Sequence, residues 1–298
     1  MIRKILITGI GGFIGSALAA RLGKNYCLVR PVRQELNLLD KTANLDSIIK
    51  KENVDTIVHL ANPRIYTTTD SMGQSLLMLK NVLDVCRENR LTLLYTSSWV
   101  VYSGYNTTCL FASESLPVRP KGTYGEAKAL CEILINQYRD LYNLNIYMLM
   151  LSPVYGVGSN KPNFISTFFQ KALTNETIFT HKYINGLPVF DLIYIDDVVR
   201  AIEAVVKTDP GNSLDLNIGS GICYSTFDIA KLIKEISCSN SPIMHQQISD
   251  FACNIVMDTG KAREILKWHP EINIKDGLKE MMCRIVAGTN MAEIEYEK

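Results

Sequence analysis

The sequence holds no apolar run of the roughly 18 residues that a membrane-spanning helix needs, and its eight cysteines include no Cys-x-x-Cys pair. They lie at positions 27, 86, 109, 131, 223, 238, 253 and 283, several within apolar runs such as Tyr26-Cys27-Leu28. This scatter argues against a disulfide framework; buried thiols in a reducing compartment are expected, and no metal site is. An excess of either charge is missing too. The 31 Lys and Arg balance 30 Asp and Glu to a net +1, so no general field draws in a polyanion and any phosphate must be met locally. Repeats and low-complexity tracts are absent, and the chain opens on Ile-Arg-Lys-Ile-Leu-Ile with no small-residue cleavage site. The expectation is a soluble, cytoplasmic protein with neither nucleic acid nor membrane as partner, and with a polar tail, Met291 to Lys298, that frays.

Apolar residues, by contrast, are plentiful. They make up 47% of the 298 residues, enough for a large core, and the length suggests about two domains. Short β-rich runs recur at Ile5 to Thr8, Cys27 to Val29, Thr56 to Leu60, Leu91 to Thr96 and Ile146 to Leu151. Runs that are apolar throughout belong to strands covered on both faces, as in a parallel sheet. Between them lie stretches of helical periodicity: Met72 to Cys86, with Met72, Leu76, Leu79, Leu83 and Cys86 on one stripe, and Tyr124 to Leu141, with Ala127, Leu130, Leu134, Tyr138 and Leu141. Such alternation predicts an α/β fold, a doubly wound parallel sheet over residues 1–151. After residue 151, Ser152-Pro153, Gly156, Gly158 and Pro162 break the pattern. Residues 152–298 are expected to form mainly a smaller cap, with a stretch around 186–220 returning to the sheet domain.

The first predicted strand runs into Thr8-Gly9-Ile10-Gly11-Gly12-Phe13-Ile14-Gly15, and a helical stretch follows from Ser16 to Leu22. Gly9 allows a tight turn, Gly12 lets backbone approach a pyrophosphate, and Gly15 lets helix and strand pack closely; the helix N-terminus then offers N–H groups to the anion. At the end of the second strand a carboxylate would favour a 2′-hydroxyl, whereas an arginine accommodates a 2′-phosphate. Arg30-Pro31-Val32-Arg33 stands there, with no carboxylate before Glu35. Two solvated surface arginines would look the same. Asp40 is placed either to reach an adenine edge or to close a surface turn.

Tyr124 and Lys128 are four residues apart in a helical segment, hence on one face. A free phenol is a poor proton shuttle near neutrality, and a neighbouring ammonium would favour its ionised form. The strand ending in Tyr95-Thr96-Ser97-Ser98-Trp99 would deliver a serine hydroxyl to the carboxyl edge of the sheet, where such folds bind ligands. Each signal alone is modest. Their order along the chain, glycine turn, then serine, then the Tyr-Lys pair, is far more specific.

With these motifs, Ile57-Val58-His59-Leu60-Ala61, Ser97 to Tyr102, Val154 to Gly158 and Asp191-Leu-Ile-Tyr-Ile-Asp-Asp197 resemble the extended short-chain dehydrogenase/reductase family of nucleotide-sugar epimerases, dehydratases and 4-ketoreductases. The resemblance covers nearly the whole chain. It implies Ser98, Tyr124 and Lys128 as catalytic residues. It also implies cofactor contacts at Gly9, Gly12, Phe13, Ile14, Gly15, Arg30, Arg33, Asp40, Leu60, Ala61, Asn62, Tyr124, Lys128, Pro153 and Val154, and substrate contacts at Ser98, Trp99, Val100, Tyr124 and Tyr155. A homodimer through the two long helices is expected from the same resemblance. Arg33 to Asp40 looks most like the NADPH-using 4-ketoreductases. Trp99 and Val100 stand where the sugar dehydratases carry an Asp-Glu pair, and Pro153 and Phe190 replace an Asn and an Arg that grip a diphosphate, so that either other residues hold it, with Lys161 and Lys182 as candidates, or the substrate carries none. The expected function is NADPH-dependent reduction of a keto group, C4 of a nucleotide-linked deoxysugar. An NAD-dependent 4-epimerase is the alternative, and a cofactor-sensing protein without catalysis a minor one.

Overall fold

A computed structural model describes residues 3–40, 43–107, 109–159, 163–209 and 211–288; the C-terminal tail and Lys161 lie outside them. In chain order the elements are β1 (Lys4–Thr8), α1 (Phe13–Leu22), β2 (Cys27–Val29), α2 (Ala43–Glu52), β3 (Thr56–His59), α3 (Thr69–Asn89), β4 (Thr92–Ser98), a 3₁₀ turn (Trp99–Tyr102), β5 (Leu110–Ala112), α4 (Gly122–Tyr142), β6 (Ile146–Leu151) and β7 (Val154–Tyr155). They continue with α5 (Phe164–Leu173), β8 (Ile178–Lys182), β9 (Val189–Asp191), β10 (Ile193–Tyr194), α6 (Ile195–Thr208), β11 (Leu214–Ile218), β12 (Cys223–Ser225), α7 (Thr226–Ile236), β13 (Ile243–Gln247), β14 (Ile255–Met257), α8 (Gly260–Leu266) and α9 (Ile274–Val286).

Six strands form one parallel sheet in the order β11-β6-β4-β3-β1-β2. Side chains alternate between its faces, so a run such as Ile5-Leu6-Ile7 feeds two cores. Ile5 and Ile7 pack with Val58, Leu94 and residues of α1 and α6, while Leu6, Ile57 and Leu93 pack with α2, α3 and α4. Both faces are thus dry, as the apolar runs predicted. The strand order reverses direction of progress between β1 and β3, and such a switch point leaves a crevice beyond the strands' carboxyl ends.

The 186–220 stretch divides. α6 packs on α1 and β11 completes the large sheet, whereas β9 pairs with β12 and β14 in a four-stranded sheet that also takes β5. Two buried carboxylates of the Asp191 to Asp197 motif tie these pieces together. Asp191 accepts from the backbone N–H of Ser220 (2.7 Å), Gly221 (3.1 Å) and Met257 (3.0 Å); Asp197 accepts from Arg200 and from the N–H of Glu271 and Ile272. The expectation about cysteines needs correction. Cys86 and Cys131 are buried, but Cys27, Cys109, Cys238 and Cys283 are exposed, because each of these four falls on a strand edge, a loop or the outer side of a helix. No helix among the described residues is long and apolar enough to cross a membrane.

Candidate active site

The glycine turn closes on the carboxyl ends of β1 and β3. Gly9 takes a positive φ of 73°, and a Cβ on it would lie 2.7 Å from the Ala61 nitrogen, so only glycine fits between the turn and the end of β3. Gly15 is tighter still, with a Cβ 2.2 Å from the Gly9 carbonyl oxygen. Gly12, by contrast, would meet only that oxygen, at 3.2 Å, and Gly11 nothing within 4 Å. α1 begins here with Gly12 as N-cap and no side-chain cap. The N–H groups in the first turn of α1 therefore lack helical partners, with Gly11 and Gly12 exposed beside them, which fits the diphosphate of a dinucleotide. Thr8 secures the turn: its Oγ1 contacts His59 Nδ1 at 2.8 Å and accepts from the N–H of Leu60 and Ala61. Burial pushes the His59 imidazole down to about 3, so it stays neutral.

Arg30 and Arg33 are both exposed at the end of β2, and neither forms an ion pair or hydrogen bond with the described residues. Glu35, the first carboxylate available, is exposed and folds back on its own turn to accept from the Val32 N–H at 3.0 Å. Asp40 takes the surface-turn alternative, accepting from Asn37 Nδ2 at 3.0 Å.

The proposed chemistry centres on the facing ends of β4 and α4. Ser98 is 9% exposed and Lys128 7%, and the Tyr124 phenol lies between the side chains of Ser98 and Asn62. Tyr66, which sequence reasoning missed, packs its ring 5.0 Å from that of Tyr124. The expected relation between ammonium and phenol is not what the structure shows. Lys128 Nζ donates to the Thr96 carbonyl at 2.8 Å and the Tyr95 hydroxyl at 3.2 Å and stands 5.9 Å from the Tyr124 ring centroid. Burial consequently raises the phenol above its ordinary value, against the opposing pull of Ser98 and Asn62, and lowers Lys128 to about 8. The one-turn spacing was legible in the sequence. That β4 would offer the ammonium nearer partners was not.

Beside Ser98, Trp99 meets Phe190 edge-on at 6.3 Å, and Phe190 stacks on Phe164 at 5.4 Å. An aromatic wall thus stands beside Ser98. Val100, Pro153 and Val154 are half-buried along the same edge. Tyr155, expected at the substrate, is instead a core residue: it is 2% exposed, its hydroxyl lying against Gly277 and its ring 5.3 Å from Tyr194. Strand alternation turns it into the core, while Val154 takes the outward position. Lys182 is exposed on β8. Among the described residues no cluster of three His, Cys, Asp or Glu is placed to hold a metal.

The chain matches the model of the NAD dependent epimerase/dehydratase family over residues 5–219. It is 29% identical over 279 residues to a dTDP-D-glucose 4,6-dehydratase of Dictyostelium discoideum, covering 79% of this chain and 62% of that one. It is 27% identical over 310 residues to YtcB of Bacillus subtilis, an uncharacterised UDP-glucose epimerase, covering 92% and 95%. A solved structure of RMD from Pseudomonas aeruginosa, complexed with NADPH, superposes with a TM-score of 0.83 at 20% identity over 94% of this chain and 98% of that one. The glycine turn, the serine at the end of β4 and the Tyr-Lys pair on α4 all fall inside the matched segment, and on that ground the chain belongs to the NAD-dependent epimerase/dehydratase family of extended short-chain dehydrogenases/reductases.

Proposed function

We propose that the protein is an NADPH-dependent reductase of a keto group, C4 of a nucleotide-linked deoxysugar. The observation that carries this reading is the pair of unpartnered arginines, Arg30 and Arg33, at the end of β2, with Glu35 engaged elsewhere. An exposed guanidinium with no internal partner suits a 2′-phosphate, which it meets with a charge-assisted contact, far better than a neutral 2′-hydroxyl. The nicotinamide, when bound, supplies a hydride.

The chain's own groups supply everything else. The Tyr124 phenol, kept protonated by burial, gives its proton to the carbonyl oxygen as that oxygen gains charge. Ser98 donates a hydrogen bond to the same oxygen, and the two together stabilise the developing alkoxide. Lys128 holds a buried ammonium one turn along α4, 5.9 Å from the phenol ring centroid, the positive charge that a phenolate left after transfer would meet. A protonated phenol at rest suits a reductase, whose first demand on it is a proton, better than an epimerase, whose first demand is a base. Trp99 and Val100 beside Ser98 offer no acid or base to eliminate water. The aromatic wall of Trp99, Phe190 and Phe164 fits a deoxysugar face.

The test follows absorbance of NADPH with a dTDP- or GDP-linked 4-keto-6-deoxyhexose, and separately the isomerisation of UDP-glucose. Stoichiometric NADPH consumption supports the reductase. Isomerisation with no net change in nicotinamide absorbance would make the protein an epimerase.

A further inference from the structure

One buried carboxylate near the site has no part in the chemistry above. Glu132 lies on α4 one turn beyond Lys128, is 7% exposed, and accepts a hydrogen bond from Ser97 Oγ. Three side chains one turn apart on α4 thereby grip four successive residues of β4. Tyr124 faces Ser98, Lys128 donates to Tyr95 and Thr96, and Glu132 takes Ser97. The middle group is an ammonium with carbonyl and hydroxyl partners but no carboxylate within ion-pair distance among the described residues. A buried cation so placed depends on whatever negative charge its surroundings provide. Burial pulls this ammonium down, and Cys131 and then Glu132 act against it; Glu132 is the carboxylate of the two.

We propose that Glu132 is a positioning residue of this site: it pins Ser97, and with it the strand end that carries Ser98, to α4, and it supplies the buried counter-charge for the Lys128 ammonium. This rests on the reading of Tyr124 and Lys128 given above, for either activity. Glu132 is not sealed off. With Glu114, Asp215, Tyr102, Met148 and Met150 it lines a cleft of about 180 Å³, large enough to admit water to the carboxyl. The charged and titratable groups around it are Lys128, Cys131 and Arg139 on α4, Asp215 on β11, Glu114 after β5, Tyr95 on β4 and Tyr102. Arg139 is itself engaged with Asp215 at 2.7 Å. Burial pushes the Glu132 carboxyl up to about 7, against the pull of Ser97, Lys128 and Arg139, and Lys128 loses its proton near 8.

The experiment measures kcat/KM against pH with a dTDP-linked 4-keto-6-deoxyhexose and NADPH for wild type, Glu132→Gln, Glu132→Asp and Ser97→Ala. Glu132→Gln is expected to move the alkaline limb down by about one pH unit, because burial then acts on Lys128 with one negative group fewer to oppose it. Glu132→Asp restores the limb. Ser97→Ala leaves the limb in place and lowers kcat several-fold. A second measurement does not depend on turnover: in protein carrying ¹³C-labelled glutamate carboxyls, the Glu132 resonance titrates near 7 and shifts to higher pH in Lys128→Met, since the coupling of two charges is reciprocal. If Glu132→Gln does not fold, the carboxyl titration decides alone. A Glu132→Gln limb that coincides with wild type, or a Glu132 titration unmoved by Lys128→Met, overturns the inference. Wild-type turnover in Tyr124→Phe would instead overturn the reading on which it rests.

Discussion

Placing a methyl group on Gly12 and on Gly15 separates two roles that both glycines serve in the same turn. In Gly15→Ala the new Cβ falls 2.2 Å from the Gly9 carbonyl oxygen and 2.9 Å from Ile10 Cα, both backbone atoms that no rotamer change can move. To recover ordinary contact, the start of α1 must retreat from the turn by about 1 Å. Overpacking of that kind costs roughly 1–3 kcal/mol, against which better helix propensity returns up to about 1 kcal/mol. In Gly12→Ala the only neighbour is the Gly9 oxygen at 3.2 Å, and the backbone at φ −82° and ψ 170° suits alanine. The loss of a good N-cap and the gain from a less flexible unfolded chain, each about 0.5–1 kcal/mol, roughly cancel. Thermal melting should therefore fall by several degrees in Gly15→Ala, at about 2–4 °C per kcal/mol, and hardly at all in Gly12→Ala. Titration of nucleotide by intrinsic fluorescence should show the opposite contrast in specificity. Gly12→Ala loses at least about tenfold in affinity, or 1.4 kcal/mol, with its stability intact. A Gly12→Ala protein that binds NADPH and NADH as wild type does would show that no diphosphate approaches that backbone, and an unaltered melting temperature in Gly15→Ala would refute the close packing of α1 on the turn.

Four further outcomes are expected. Tyr124→Phe abolishes turnover and leaves cofactor affinity within a few-fold, since it removes the proton donor and little volume; activity within tenfold of wild type in a steady-state assay would refute that role. Arg33→Ala weakens NADPH by about 10- to 100-fold and NADH hardly at all, the worth of one charge-assisted contact at an exposed site; equal losses for both in parallel titrations would mean the arginine only supports its loop. Burial lowers Lys128 to about 8, so its charge is present below that pH and lost above it; kcat/KM should fall along an alkaline limb near 8, and a flat profile to pH 9.5 would count against a catalytic ammonium. The protein sediments as a dimer through the outer face of α3 and α4, where Leu77, Leu130, Ile133 and Leu141 are 38–67% exposed. Ile133→Asp should then yield monomer by sedimentation velocity, and a wild type that is monomeric at micromolar concentration would end that proposal.

On α4 that face keeps Leu130 and Leu141 of the stripe read from the sequence, but on α3 it differs from the one the periodicity suggested. Leu79, Leu83 and Cys86 belong to the stripe read from the sequence, yet they are fully buried within the chain against α4 and the sheet. Periodicity identifies an apolar face, but a long helix packed on one side of a sheet beside another helix buries one stripe internally and leaves a second outward. Nothing local distinguishes the two.

The properties that the sequence determined by itself are those governed by near neighbours: the fully apolar strands, the glycine turn, the one-turn separation of Tyr124 and Lys128, and the absence of a carboxylate before Glu35. Backbone sterics and side-chain period decide these within a few residues, so they are readable without a fold. Glu132 was within reach of the same reasoning, being one turn from Lys128, but an isolated glutamate on a helix ordinarily faces solvent. Only the tertiary structure decided that it is buried against Ser97, that Lys128 turns to Tyr95 and Thr96, that Tyr155 lies on Gly277, and that four cysteines are exposed. Each of these depends on which distant segment fills the space beside a residue, and therefore on desolvation and partner geometry, which exist only once the sheet and its covering helices have assembled.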